Sequence, residues 1–190
     1  DLGRPKGALL SQRAVLAGGD NTALAHALTP ADRGLCVLPL YHINGEMVTV
    51  MGPLASGSSV VMPHRFSASD FWRLVSEYRC TWFSVVPTII KYLLDRAASE
   101  PYRFGDGGDF AQLRFGRSAS APLPASVQQE FEATFNVPMI ETMGLTETAA
   151  PILSNPLPPR PRVSGSPGIA FGNEVTVADE RGMPVPDGTP

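Results

Sequence analysis

Cysteine is nearly absent from this chain: among 190 residues only Cys36 and Cys80 carry thiols. Both lie in apolar settings, GLCVL and YRCTWF, which reads as two buried free thiols in a reducing compartment. A disulfide or a metal pair is the alternative reading of the two. Basic charge is also scarce. The net charge is −3 and the isoelectric point near 5.6, so no cationic footprint for nucleic acid is on offer. No apolar run approaches the roughly 18 residues of a membrane-spanning helix. No leader-like segment opens the sequence and no internal repeat is apparent. The expectation is a cytoplasmic protein with no nucleic-acid partner and no transmembrane segment.

With 43% hydrophobic and 17% charged residues, the chain has the balance of a globular domain. Glycine (18) and proline (19) stay below the share, roughly 25–30%, that marks disorder. They gather in GDGGD at 105–109, read as an exposed loop, and in PLPPRP at 156–161, read as an extended connector.

Between these markers, helical and strand-like segments alternate. A helix is expected from Ser11, its cap, to Leu28, with Val15, Leu16, Leu24 and Leu28 as its apolar face and a weak point at Gly18–Gly19. Asn44–Leu54, Phe71–Tyr78, Thr88–Asp95 and Ala125–Phe135 also read as helices. Strand-length apolar runs fall at Leu35–Leu40, Ser58–Met62, Thr81–Val86, Leu113–Arg117 and Val137–Thr142. Continuously apolar strands separated by helices predict an α/β fold, a mostly parallel sheet flanked by helices on both faces. Beyond Ser164 the texture changes. Glu174–Ala178 alternates ahead of a turn-rich tail, so 1–163 reads as the α/β unit and 164–190 as the start of a β-rich subdomain.

Four segments carry candidate chemistry. GRPKG at 3–7 is a glycine-flanked basic loop ahead of a helix; it can offer backbone N–H groups and Lys6 to phosphates, although an ordinary basic turn looks the same. It is not a complete P-loop, because Gly7 follows Lys6 where Ser or Thr is needed. PLYHINGE at 39–46 puts His42 after a strand, where a ring that merely ends a strand would look alike. FGRSASAPLP at 115–124 delivers small residues to a turn, also readable as a plain strand-to-helix connection. PMIETMGLTETA at 138–149 runs from a strand into a short polar turn with Gly144, Thr146 and Glu147. Glycine admits close backbone approach, a hydroxyl can donate to phosphate, and a carboxylate suits Mg²⁺. A helix-start box is the bland reading of that Thr–Glu pair.

Taken in order, these four segments resemble the motifs of the adenylate-forming enzymes: acyl-CoA synthetases, luciferases and the adenylation domains of peptide synthetases. The resemblance covers essentially the whole chain and, through RSASAPLP, leans to the acyl-CoA ligase branch. It implies that Gly3, Lys6 and Gly7 face the phosphates of ATP, and that Ser120, Ala121 and Pro122 pack against adenine. Glu141 would stand near the adenine amino group, with Met143 flanking the base and Gly144 beside it. Thr146 would contact the α-phosphate and Glu147 would hold Mg²⁺, the two acting as the catalytic pair. His42 would sit between nucleotide and acyl pockets, with Ile43, Asn44 and Met47 on the acyl side. Arg65 matches a basic residue that meets a CoA phosphate. Departures are Asp1 and Leu2, where the family has loop hydroxyls, Ala119 for a frequent glycine, and Met143 for a frequent tyrosine. Glu46 reads as solvent-facing, and His26 and His64 as surface histidines without a role.

The implied reaction is attack of a carboxylate on the α-phosphate of ATP, giving an acyl-adenylate and pyrophosphate, followed by displacement of AMP by the thiol of CoA. The resemblance also implies parts outside this sequence: an N-terminal portion of the large domain and a small C-terminal domain bearing a catalytic lysine. The chain is therefore expected to be an internal segment that is inactive alone. The alternatives are an amino-acid adenylation domain serving a carrier protein, for which PLYHING lacks the usual aspartate, and a degenerate relative that binds nucleotide, acyl group or partner without catalysis.

Overall fold

The computed structural model describes residues 6–99, 110–186 and 188. The loop expected at 105–109, and Asp1, Leu2 and Gly3, lie outside the described residues. The elements are α1 (Gln12–Ala25), β1 (Arg33–Cys36), a π-helix (Asn44–Met51) that runs into α2 (Gly52–Ser56), β2 (Ser59–Val61), α3 (Phe71–Glu77), β3 (Trp82–Val85), α4 (Pro87–Ser99), β4 (Phe115–Ser118), α5 (Ala125–Phe135), β5 (Met139–Leu145), a 3₁₀ turn (Thr146–Thr148), β6 (Ala150–Ser154) and β7 (Ile169–Ala170). The strands form one sheet in the order β2-β1-β3-β4-β5-β6-β7. All pairings up to β4–β5 are parallel; β5–β6 and β6–β7 are antiparallel.

Side chains alternate across a strand, and this separates two cores. Phe83 and Met139 point to the side of α3, α4 and α5, where they join Phe71, Val75, Ile90, Leu93 and Phe131. Their neighbours Trp82 and Ile140, with Phe115, point to the opposite side and meet Met47, Val48 and Leu28. Helices thus cover both faces, as the apolar strands demand. The chain steps from β1 outward to β2 and returns past β1 to β3, so a topological switch point lies between β1 and β3. In such sheets the crevice at the carboxyl ends of the strands is where ligands bind.

Several expectations change on contact with the tertiary structure. Helix α1 is capped by Ser11, whose side chain accepts from the Ala14 N–H at 3.1 Å. Its buried face, however, is Gly18, Gly19, Thr22 and Ala25, while Leu16 and Leu24 are exposed. Gly18–Gly19 does not break the helix; it lets α1 press onto its neighbours. A Cβ at Gly18 would come within 2.2 Å of the Ala149 carbonyl oxygen, and one at Gly19 within 2.9 Å of that of Met51. The Asn44–Leu54 segment begins as a π-helix, not an α-helix. Strand β5 runs on through Met143–Leu145 into a hairpin with β6, so Gly144 lies in a strand and not in a turn. Antiparallel pairing therefore starts at Ala150. Glu174–Ala178 forms no strand; only an Ala178–Pro184 bridge is made there.

His26 is the clearest correction. It is fully buried, its ring stacked on Phe115 (5.3 Å) and Trp82 (6.1 Å), with Nδ1 bonded to the Thr22 carbonyl at 2.8 Å. Burial, then the nearby charge of Arg117, pushes its pKa down to about 3. Cys36 and Cys80 are buried free thiols, as expected. No helix among the described residues is long and apolar enough to cross a membrane.

Two outcomes are expected. Gly18→Ala gains helix propensity but overpacks the α1 contact, and should lower stability by about 1–3 kcal/mol in urea unfolding. Between pH about 6.5 and 3 the unfolded chain binds a proton at His26 that the folded chain refuses. Stability should therefore fall as pH drops through that window, by up to roughly 1 kcal/mol per pH unit from this group. His26→Phe should remove that part of the slope, read from urea curves at pH 7.5 and 5.5.

Candidate functional site

The carboxyl ends of β1, β3, β4 and β5 open onto a set of adjoining depressions. The one at β4–β5, about 390 Å³, is walled by Ser120, Ala121 and Pro122 on one side and by Glu141, Met143 and Gly144 on the other. The two motifs meet here because β4 and β5 are parallel neighbours, with Ser118 in register with Glu141. Ala121 and Pro122 offer a flat, small-residue wall. Met143 is half-exposed opposite, its thioether able to lie on a ring face.

Glu141 is buried. One carboxylate oxygen accepts from the Leu123 N–H at 3.0 Å, while Oε2 is buried with no partner, as is Oγ1 of the adjacent Thr142. Both residues line this cavity. Orphaned buried acceptors and hydroxyls are rare and ask for a ligand or water. Ser120 at the rim has φ +72°, an uncommon conformation for a non-glycine residue. Local strain of that sort collects at functional positions.

Past Leu145 the chain makes the 3₁₀ turn. Its hydrogen bonding is carried by Thr148, whose hydroxyl accepts from the Leu145 N–H and reaches the carbonyl oxygens of Leu145 and Ala150, each at 3.0 Å. Thr146 and Glu147 are exposed, and among the described residues their side chains make no hydrogen bond or ion pair. The bland capping role thus belongs to Thr148, and Thr146 and Glu147 follow directly on Leu145, the last residue of β5 to line the cavity, with their side chains exposed.

A second depression of about 100 Å³ lies over the switch point, between Leu38, Pro39, His42, Asn44, Val86 and Ser120. His42 is exposed there with its ring 5.0 Å from that of Tyr41. A third, of about 30 Å³, is lined by Ile43, Asn44, Val48, Arg117, Ser120 and Gly144, among others. Ser120 borders all three. Met47, expected on the acyl side, is 2% exposed and lies below, in the core against α1, and it lines none of these three depressions.

Lys6 and Gly7 are exposed ahead of α1 and line none of these cavities; a Cβ at Gly7 would meet nothing within 4 Å. Arg65 lines a depression of about 580 Å³ between the ends of β1 and β2, with His64 and Phe66; it adjoins the switch-point depression through Leu38 and Pro39. Glu46 and His64 are exposed.

The residues missed in the sequence are Ser84 and Arg117. Arg117 Nη1 donates to Asn44 Oδ1 at 2.5 Å and to Ser84 Oγ at 3.0 Å; Asn44 Nδ2 in turn donates to Ser120 Oγ at 3.2 Å. This network fastens the π-helix to β3, β4 and the rim. Burial pulls the Arg117 pKa down to about 9, so the side chain stays charged at neutral pH. A serine and an arginine interrupting the apolar runs WFSVV and FGRSA were the available signal.

A family model described as AMP-binding enzyme matches residues 3–190, and the chain belongs to that family. It is 52% identical over 186 residues to the sulfoacetate–CoA ligase of Cupriavidus necator, covering 98% of this chain and 35% of that protein. The oxalate–CoA ligase of Arabidopsis thaliana is 36% identical over 182 residues, which cover 94% of this chain and 34% of that protein. Among solved structures, ATP-bound MatB from Rhodopseudomonas palustris superimposes with a TM-score of 0.84 at 29% identity, over 99% of this chain and 36% of that one. The chain thus spans about a third of the length of these relatives.

The division of labour in the 3₁₀ turn is testable. Thr148→Val should cost roughly 1 kcal/mol of stability, whereas Thr146→Ala and Glu147→Gln should each stay within about 0.5 kcal/mol of the unaltered chain. A collapse of the melting temperature in Glu147→Gln would reassign that carboxylate to structure.

Proposed function

We propose that this chain forms the nucleotide- and acyl-binding core of an ATP-dependent, AMP-forming acid–CoA ligase. The observation that carries the reading is the β4–β5 cavity. It has a flat small-residue wall, a thioether opposite and two orphaned buried polar atoms, and the strand that walls it leads through Leu145 into an exposed Thr–Glu pair whose side chains make no hydrogen bond or ion pair among the described residues. Ser120–Pro122 and Met143 sandwich the adenine, with Glu141 and Thr142 meeting its polar edge. Thr146 donates to the α-phosphate as the carboxylate substrate attacks it. His42 and Ser120 separate that reaction centre from the acyl side. Gly3, Lys6 and Gly7 are assigned to the outer phosphates and Arg65 to CoA.

Mg²⁺ fits the residues present. Glu147 is exposed and unpaired, and no cluster of three or more His, Cys, Asp or Glu exists among the described residues. That suits an ion held by one carboxylate together with phosphate oxygens and water. When bound, it offsets the charge that develops on the phosphate. The substrates named for the relatives, sulfoacetate and oxalate, are two-carbon acids with a second anionic group, and a small acid of that class is the substrate proposed here.

The test is titration of the chain with AMP, followed by the methyl NMR signals of its methionines. Met143 should shift saturably, while Met183, on the exposed tail, should not. Ala121→Trp, which fills the cavity from an exposed position, should weaken binding at least tenfold without lowering the melting temperature. No response at Met143, or unaltered binding by the variant, would defeat the proposal.

A further inference from the structure

A whole positive charge lies beneath the site with no negative charge to answer it among the described residues. Arg117 is 2% exposed. Its two hydrogen bonds go to the neutral Asn44 and Ser84, and its Nε is buried without a partner. Among the described residues no carboxylate reaches it. The contrast with Arg114, just ahead of β4, is direct, since that arginine has its carboxylate, Asp32, at 2.6 Å. Isolated buried ions are among the costliest groups a fold can hold, and buried charges are as a rule paired. The titratable neighbour, His26, responds by staying neutral and supplies no compensation.

Arg117 also borders the smallest of the three cavities, about 30 Å³, which shares Ser120 and Gly144 with the β4–β5 cavity. At about 30 Å³ it has no room for a long acyl chain. A short acid entering from the rim leads with its far end toward Asn44 and Arg117.

We propose that Arg117 is the specificity-determining counter-ion for a second anionic group of the substrate, so that the site selects short acids whose far end is a carboxylate or sulfonate over equally short acids with an apolar end. The proposal rests on the preceding functional reading and deepens it. An amino-acid substrate is disfavoured by the same charge, which would repel an ammonium.

The experiment titrates the AMP-saturated chain with sulfoacetate, oxalate and propanoate, reading the Ile43 methyl signals. Sulfoacetate or oxalate should bind at least tenfold more tightly than propanoate. Arg117→Met, similar in length and uncharged, should lose that preference while AMP still shifts Met143. Arg117→Lys, which keeps the charge, should keep a preference for the dianions, a result that a merely structural arginine would not produce. Equal binding of propanoate and the dianions by the unaltered chain would overturn the proposal, as would a preference that survives in Arg117→Met. Should the Met variant fail to fold, the Lys variant decides: folded but indifferent to the second anion, it overturns the idea. Failure of AMP to perturb Met143 would instead strike the functional reading itself.

Discussion

One strand register organises this molecule. Pairing of β3 with β4 sets Trp82 beside Phe115, Phe83 beside Gly116, Ser84 beside Arg117 and Val85 beside Ser118. The first pair builds the aromatic floor on which His26 stacks. The second lets the Phe83 ring lie over a residue with no side chain, since a Cβ at Gly116 would come within 2.5 Å of it. The third creates the polar network that ties the π-helix to the sheet. A slip of one residue would send each of these side chains to the wrong face, mixing the two cores and stranding the guanidinium among apolar rings.

From that register the site follows. With β4 and β5 also parallel and aligned, the small-residue turn after β4 and the Glu141–Gly144 stretch of β5 come to face each other across a cavity. The hairpin to β6 turns the chain sharply after Leu145 and leaves Thr146 and Glu147 outward. Ala149 and Ala150 both take positive φ (53° and 84°) where that turn closes. Thr148 holds the turn from within. Within one motif the hydroxyl that caps backbone, that of Thr148, is thus distinct from the exposed hydroxyl of Thr146.

Much of the architecture was legible because the strands are continuously apolar and the helices are bounded by caps, prolines and glycines. Helix α5 matches its expected limits, and β1 to β5 appear within a few residues of theirs. Periodicity misled where packing is done by small residues. In α1 the leucines look like a core face, but the close contact belongs to Gly18, Gly19, Thr22 and Ala25, because helices approach most closely where side chains are absent. His26 looked solvent-exposed for want of a partner motif; its partners are rings some 56 and 89 positions away. The hairpin of β5 and β6 was hidden because antiparallel pairing depends on which edge is free, and no local pattern records that.

The amino-acid sequence alone determined the alternation of elements, the parallel class of the sheet and the membership of its motifs in one family, because these depend on local pattern and on short runs of residue types. The tertiary structure alone decided which motif residues share a cavity, that Met47 supports and does not line it, and that Arg117 is buried without a counter-charge among the described residues. Burial and electrostatic pairing are properties of neighbours brought together by the fold, and Arg117 meets Asn44 and Ser84 across separations of 73 and 33 residues.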